Sequence, residues 1–150
     1  MGEKKMTIAI DFDGTCVTHD FPNIGDDIGA APVLRELVAN GHKLILWTVR
    51  SDQEKVFSPD PMIQTKKAGK FLLEAVKWFK KNKIPLFGIN SSPTQKSWSE
   101  SPKAYAELYI DDAALGCSVI YDPYIHHRPF ADWTTIHKLF IEQGLIKPKP

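Results

Sequence analysis

Apolar and polar positions alternate in blocks along this chain, and the block lengths change character from one segment to the next. "MTIAID" (6–11) is a short β-branched apolar run that predicts a buried strand. Residues 16–28 hold Pro22, Gly25 and several aspartates, so a loop or small hairpin follows. In "APVLRELVANG" (31–41), Val33, Leu34, Leu37 and Val38 share one helical face, with Pro32 near the start and Gly41 just past the end. "HKLILWTV" (42–49) predicts a second buried strand, and a polar stretch with Pro59 and Pro61 comes next. Ala68, Phe71, Leu72, Ala75, Val76 and Phe79 recur at helical spacing over 66–82. "IPLFGIN" (84–90) and "AELYIDD" (106–112) predict two more strands, "CSVIY" (117–121) a weaker fifth, and "ADWTTIHKLFIEQG" (131–144) a closing helix.

Strands alternating with helices argue for an α/β fold, a parallel sheet with helices on both faces. Ligands of such sheets sit beyond the carboxyl ends of the strands, where the strand order reverses. The ends are polar here: Asp11 on the first strand, Thr48 on the second, Asp111 and Asp112 on the fourth.

Composition narrows the setting without naming the chemistry. A chain of 150 residues suits one domain, and 43% hydrophobic with 25% charged residues is ordinary for a globular protein. A net charge of +1 gives no global electrostatic case for nucleic acid or an anionic membrane. No apolar run reaches the length of a membrane span, and "MGEKK" (1–5) is not followed by a signal-peptide core. Cys16 and Cys117 lack metal-type spacing, so a reduced, cytoplasmic setting is expected, although two thiols leave a disulfide open.

Asp11 and Asp13 stand one residue apart and would point the same way on a continuing strand, repelling by roughly 4 kcal/mol at an effective dielectric near 20. Four carboxylates at one sheet edge need a counter-charge, and Mg2+ is the natural one, a hard cation that takes oxygen ligands and leaves positions for water and phosphate. A carboxylate can attack phosphorus and a second carboxyl can handle the protons, which divides hydrolysis into two easier steps. Gly14 would let backbone approach a phosphate closely.

"DFDGT" (11–15), the hydroxyl residue ending "ILWT", the lysine in "SPKAY" and the pair in "YIDD" together resemble the haloacid dehalogenase superfamily of phosphohydrolases, in the family's motif order and over most of the chain. The resemblance implies a three-layer Rossmann-like fold with Asp11 as nucleophile and Asp13 as general acid/base. Thr48 and the backbone amide of Val49 would hold the phosphoryl oxygens, and Lys103 would neutralise Asp11 and the phosphate. Mg2+ would be held by the Asp11 and Asp111 carboxylates and the Asp13 carbonyl, with Asp112 in support. No interval between motifs is long enough for a cap domain. The expected substrate is a phosphorylated small molecule or a macromolecular phosphate, taken by an open site or one closed by a neighbouring subunit in a homo-oligomer.

Blander readings stand beside these. "DG" could be a hairpin turn, Asp112 a helix cap for the residues after it, and Lys103 a surface lysine with Lys96 as rival phosphate partner. A calcium loop beginning at Asp11 fails, with Cys16 where glycine is needed and Pro22 where glutamate is needed. Arg50 is either a substrate contact or the partner of Asp52 or Glu54. Lys66, Lys70, Lys77, Lys80 and Lys81 read as a solvated face, the alternative being a track for nucleic-acid ends. Trp47 and Trp133 are expected in the core, Trp98 at the site edge, and His126 and His127 on a loop. A phosphate-binding module without turnover is the remaining alternative in function.

Overall fold

The computed structural model describes residues 4–54, 60, 62 and 68–150. In chain order its elements are β1 (Thr7–Ile10), α1 (Ala30–Ala39), β2 (Lys43–Leu46), β3 (Asp52–Gln53), β4 (Gly69–Lys70), α2 (Phe71–Lys81), β5 (Gly88–Ile89), β6 (Leu108–Ile110), β7 (Val119–Ile120), β8 (Phe130–Ala131) and α3 (Trp133–Glu142). Four strands form a parallel sheet in the order β5-β2-β1-β6. The chain steps outward from β1 to β2 and β5, then returns to lay β6 on the other side of β1. That reversal makes the carboxyl end between β1 and β6 the switch point of the sheet.

Burial explains why the strand sequences are almost unbroken apolar runs. Ile8, Ala9 and Ile10 on β1 and Leu44, Ile45 and Leu46 on β2 are all sealed from water, as central parallel strands covered on both faces must be. The inward residues of α1 (Leu34, Leu37), α2 (Ala75, Phe79) and α3 (Ile136, Phe140) join Ile8, Ile10, Leu44, Leu46 and Ile110 in one cluster. The right-handed crossover rule sends the β5–β6 connection over the reverse face, that of Ala9 and Ile45. In that connection a short 3-10 turn, Gln95–Ser97, stands in place of a full helix. Buried Gln95 knots it, donating to the carbonyl of Lys103 (2.8 Å) and accepting from the amide of Tyr105 (2.7 Å).

Helix ends follow local chemistry. Asp132 caps α3, accepting from the amide of Thr135 at 3.2 Å and from its hydroxyl at 2.7 Å. This is why the helix begins two residues later than periodicity suggests. The first turn of α2 is capped from a distance: Asp52 accepts the amide of Leu73 at 3.0 Å, and β3 pairs antiparallel with β4 immediately before the helix. The first residues of the 66–82 prediction, Lys66 among them, lie outside the described residues.

The predicted fifth strand does not join the main sheet. Val119 and Ile120 pair antiparallel with Phe130 and Ala131 in a separate ribbon, and both are about 40% exposed. Residues 16–28 form the small hairpin-like excursion expected, closed where the Thr18 amide donates to Asp26 (3.0 Å) and the Thr18 hydroxyl accepts from the Asp26 amide (2.8 Å). No helix among the described residues is long and apolar enough to cross a membrane.

Candidate active site

Strand register carries the acids to one place. Ile10 lies opposite both Leu46 and Ile110, and Leu46 opposite Ile89. One residue further along, Asp111, Asp11, Trp47 and Asn90 therefore stand in a row. Backbone bonds carry the alignment past the strand ends: Asp11 donates to Ile110 (3.0 Å), Trp47 to Ile10 (2.8 Å) and Asn90 to Leu46 (2.7 Å). A cleft of about 420 Å3 opens over this row, lined by Asp11, Trp47, Thr48, Val49, Asn90, Pro102 and Asp111. Trp47 is thus a half-buried wall of the cleft rather than core, whereas Trp133 is core as expected, its indole donating to the Thr15 carbonyl at 2.6 Å. A second groove of about 470 Å3, between α2 and the β5 edge, is apolar but for Lys80 and Lys83 and brings no acids together.

The carboxylates of Asp11, Asp111 and Asp112 each offer an oxygen within 4.8 Å of the others. The set is all hard oxygen, which suits a divalent cation such as Mg2+. Electrostatics agree. Burial, then the charge of Asp111, then that of Asp112 push the Asp11 carboxyl up to about 8, against opposing hydrogen bonds from the Phe12 amide and Thr15. A cation among the three would remove that penalty.

Asp112 is firmly placed. Its Oδ2 lies 2.7 Å from His19 Nε2, its Oδ1 lies 3.0 Å from the Thr15 hydroxyl, and its amide donates to the same hydroxyl at 3.0 Å. Thr15 Oγ1 is also 3.1 Å from Asp11 Oδ2, so one hydroxyl links two of the three acids. Asp112 caps no helix; Asp111 Oδ1 makes the local turn, accepting the Ala113 amide at 2.9 Å. Gly14 has φ +83°, and a Cβ there would come within 2.0 Å of His19 Nε2 and 2.5 Å of Asp112 Oδ2. Its lack of a side chain therefore makes room for the His19–Asp112 pair.

Asp13 departs from expectation. Its carboxylate is absent from the acidic cluster and from the cleft lining, and it belongs to Arg50. Arg50 Nε donates to Asp13 Oδ2 at 2.8 Å and Nη2 to Oδ1 at 2.7 Å. The other guanidinium hydrogens go to the carbonyls of Pro22 (3.3 Å), Asn23 (2.8 Å) and Phe71 (3.1 Å), so all five donors are satisfied. The guanidinium carbon lies about 5 Å from the ring centroids of Phe12 and Phe21. Arg50 is 2% exposed. It is neither a substrate contact nor a surface partner of Asp52 or Glu54. The like-charge strain at the β1 end is consequently between Asp11 and Asp111–Asp112, not between Asp11 and Asp13.

The remaining expected residues are placed as follows. Thr48 lines the cleft, its hydroxyl accepting the Arg50 amide at 3.1 Å and its own amide donating to Asn90 Oδ1 at 2.8 Å. Val49 lines it too and is 99% exposed. Lys103 is exposed next to Pro102, with its ammonium 5.2 Å from the Tyr109 ring centroid; it pairs with no carboxylate among the described residues. Trp98 packs edge-on against Tyr105, and the rings of His126 and His127 stack at 4.2 Å. Lys70, Lys77, Lys80 and Lys81 are exposed.

Thr15, His19 and Asn90 are site residues that sequence reading left without a role. Thr15 sits inside the quoted "DFDGT" and Asn90 ends an apolar strand as Thr48 does, so both carried a signal. His19 lies in a polar loop with nothing local to mark it.

A solved structure described as that of the conserved protein coded by a locus from Bacteroides thetaiotaomicron is 31% identical to this chain, with a TM-score of 0.67 and 93% of each chain covered. The chain belongs to that conserved protein's family. Membership accords with the α/β parallel sheet described above and brings no activity with it. No family model matches the chain, and no curated protein matches it.

Proposed function

We propose that this chain is a Mg2+-dependent phosphatase of haloacid dehalogenase type, hydrolysing its substrate through an aspartyl-phosphate on Asp11. The observation that carries the reading is the acidic trio at the switch point, two of whose members, Asp11 and Asp111, line a cleft together with Thr48 and Val49. Asp11, Asp111 and Asp112 would hold the cation, which when bound supplies neutralisation for an anionic nucleophile meeting an anionic phosphate.

The chain's own groups divide the rest. Asp11 is in the cleft lining and so can reach a bound phosphoryl group. Thr48 spends its hydroxyl oxygen on Arg50 but keeps its hydroxyl hydrogen to give to a phosphoryl oxygen. Thr15 and His19 fix Asp112 in orientation. The general acid/base role that the resemblance gives Asp13 would require its carboxylate, held by Arg50 and outside the cleft lining, to reach the substrate. A cytoplasmic setting completes the reading, since Cys16 and Cys117 are both free thiols.

Release of p-nitrophenolate from p-nitrophenyl phosphate tests this directly. Turnover should need Mg2+ and stop with chelator. Folded protein that releases nothing at any Mg2+ concentration would rule the activity out.

A further inference from the structure

The three helices close in the same way but for one residue. In α1 and α3 the residue after the cap is a glycine in the left-handed region, Gly41 at φ +91° and Gly144 at φ +76°. In α2 that residue is Lys83, at φ +57°. The backbone bonds match throughout. Lys83 donates to Lys80 (3.1 Å) and Ile84 to Phe79 (2.9 Å), as Gly41 does to Val38 and His42 to Leu37, and as Gly144 does to Ile141 and Leu145 to Phe140. Glycine takes this conformation without steric cost, so the lysine at the end of α2 stands against local preference. The helix dipole does not call for it, because Lys80 and Lys81 already occupy the last turn.

What Lys83 gains there is a place on the groove between α2 and the β5 edge. Val76, Phe79, Ile84, Leu86 and Ile89 make that groove apolar, and Ile89 is 41% exposed. Lys80 and Lys83 are the charged residues of its lining, and neither pairs with a carboxylate among the described residues. Both stand where the chain leaves α2 for β5. Val76 lies one helical turn before Lys80, and Ile89 is further along on the strand, so the groove is cationic at one end and apolar along the rest. The amides of Asn82, Lys83 and Ile84 are already spent on helix carbonyls, which leaves the two ammonium groups as donors at that end. The carbonyl end of α2 also carries partial negative charge, which disfavours a doubly charged anion beside it.

We propose that this groove binds a long-chain carboxylic acid, its single carboxylate between Lys80 and Lys83 and its alkyl chain along Val76, Phe79 and Ile89. The charge pattern selects the ligand: two cations meet one anionic head, and the apolar remainder meets a tail without charge. Lysine is kept at the end of α2, where glycine would fold better, because its ammonium holds that head.

Titration calorimetry on the full chain with octanoate, decanoate and dodecanoate, each below its micelle-forming concentration, tests this. Affinity should rise by up to about fourfold per methylene. Dodecylamine should bind about tenfold more weakly than dodecanoate or worse, since its charge is the same as that of the lysines. Lys83→Gly should raise Tm, because glycine suits φ +57°, and still weaken dodecanoate binding about tenfold, the worth of one charge-assisted hydrogen bond. A merely structural lysine would not couple higher stability to weaker binding. Ile89→Glu should abolish binding. No saturable binding of dodecanoate, equal affinity for the amine, or a lowered Tm or unchanged affinity in Lys83→Gly would each overturn the inference. So would a dimer in sedimentation that Ile89→Glu dissociates, which would give the groove to a second copy of the chain.

Discussion

Arg50 lies 37 residues from Asp13 in the chain, yet its guanidinium sits in the core with every hydrogen placed. A buried charge is tolerated on those terms only, and lysine, with three donors and no planar fork, cannot meet them. Arg50→Lys should therefore lower stability by about 3 kcal/mol, the usual cost of breaking a buried pair, read from the denaturant midpoint. Asp11→Asn should reduce phosphate release to background while the thermal transition stays cooperative. Full activity in that variant would end the mechanism. At this scale the sequence was half legible. "DFDGT" and "YIDD" pointed to the acids because strand-end aspartates are locally conspicuous. The Asp13–Arg50 pair was not legible, because nothing in the intervening residues encodes a contact made through the fold.

Capping shows what an element owes to neighbours near and far. Asp132 is local to α3, immediately before its first residue, although the apolar spacing alone placed it inside the helix. Asp52 caps α2 from 21 residues away and could not be read from the helix itself. Asp132→Ala and Asp52→Ala should each cost about 1 kcal/mol, measurable as a shift in midpoint with unchanged slope. Segment 117–121 illustrates the other limit. Its apolar residues announced a strand correctly, but periodicity does not say which sheet a strand joins, and Val119 pairs with Ala131 in a ribbon of its own. Strands β1 and β2 were legible for the opposite reason: burial on both faces demands uninterrupted apolar runs.

Across the whole molecule, the acidic trio makes stability depend on pH. Asp11 is raised from 3.8 to about 8 in the folded chain without a cation. The folded state therefore binds the proton more tightly than the unfolded one between those values. Stability is greatest below pH 4 as far as this group is concerned and is lost as pH rises toward 8. Thermal melts in chelator should show Tm falling from pH 5 to pH 8 through this contribution. Mg2+ should raise Tm more at pH 8 than at pH 5, because at the lower pH it must displace a proton. Equal shifts at both would mean that Asp11 is not a ligand.

The pairing of Ile10 with Ile110 has one more consequence. Because Asp11 and Asp111 follow directly from that pair, sliding β6 by a single residue would turn one aspartate to the opposite side of the sheet and dissolve the trio. Cation affinity is thus a ruler for strand alignment: during refolding, the moment at which the chain begins to bind Mg2+ would mark the moment at which β1 and β6 have found their final match.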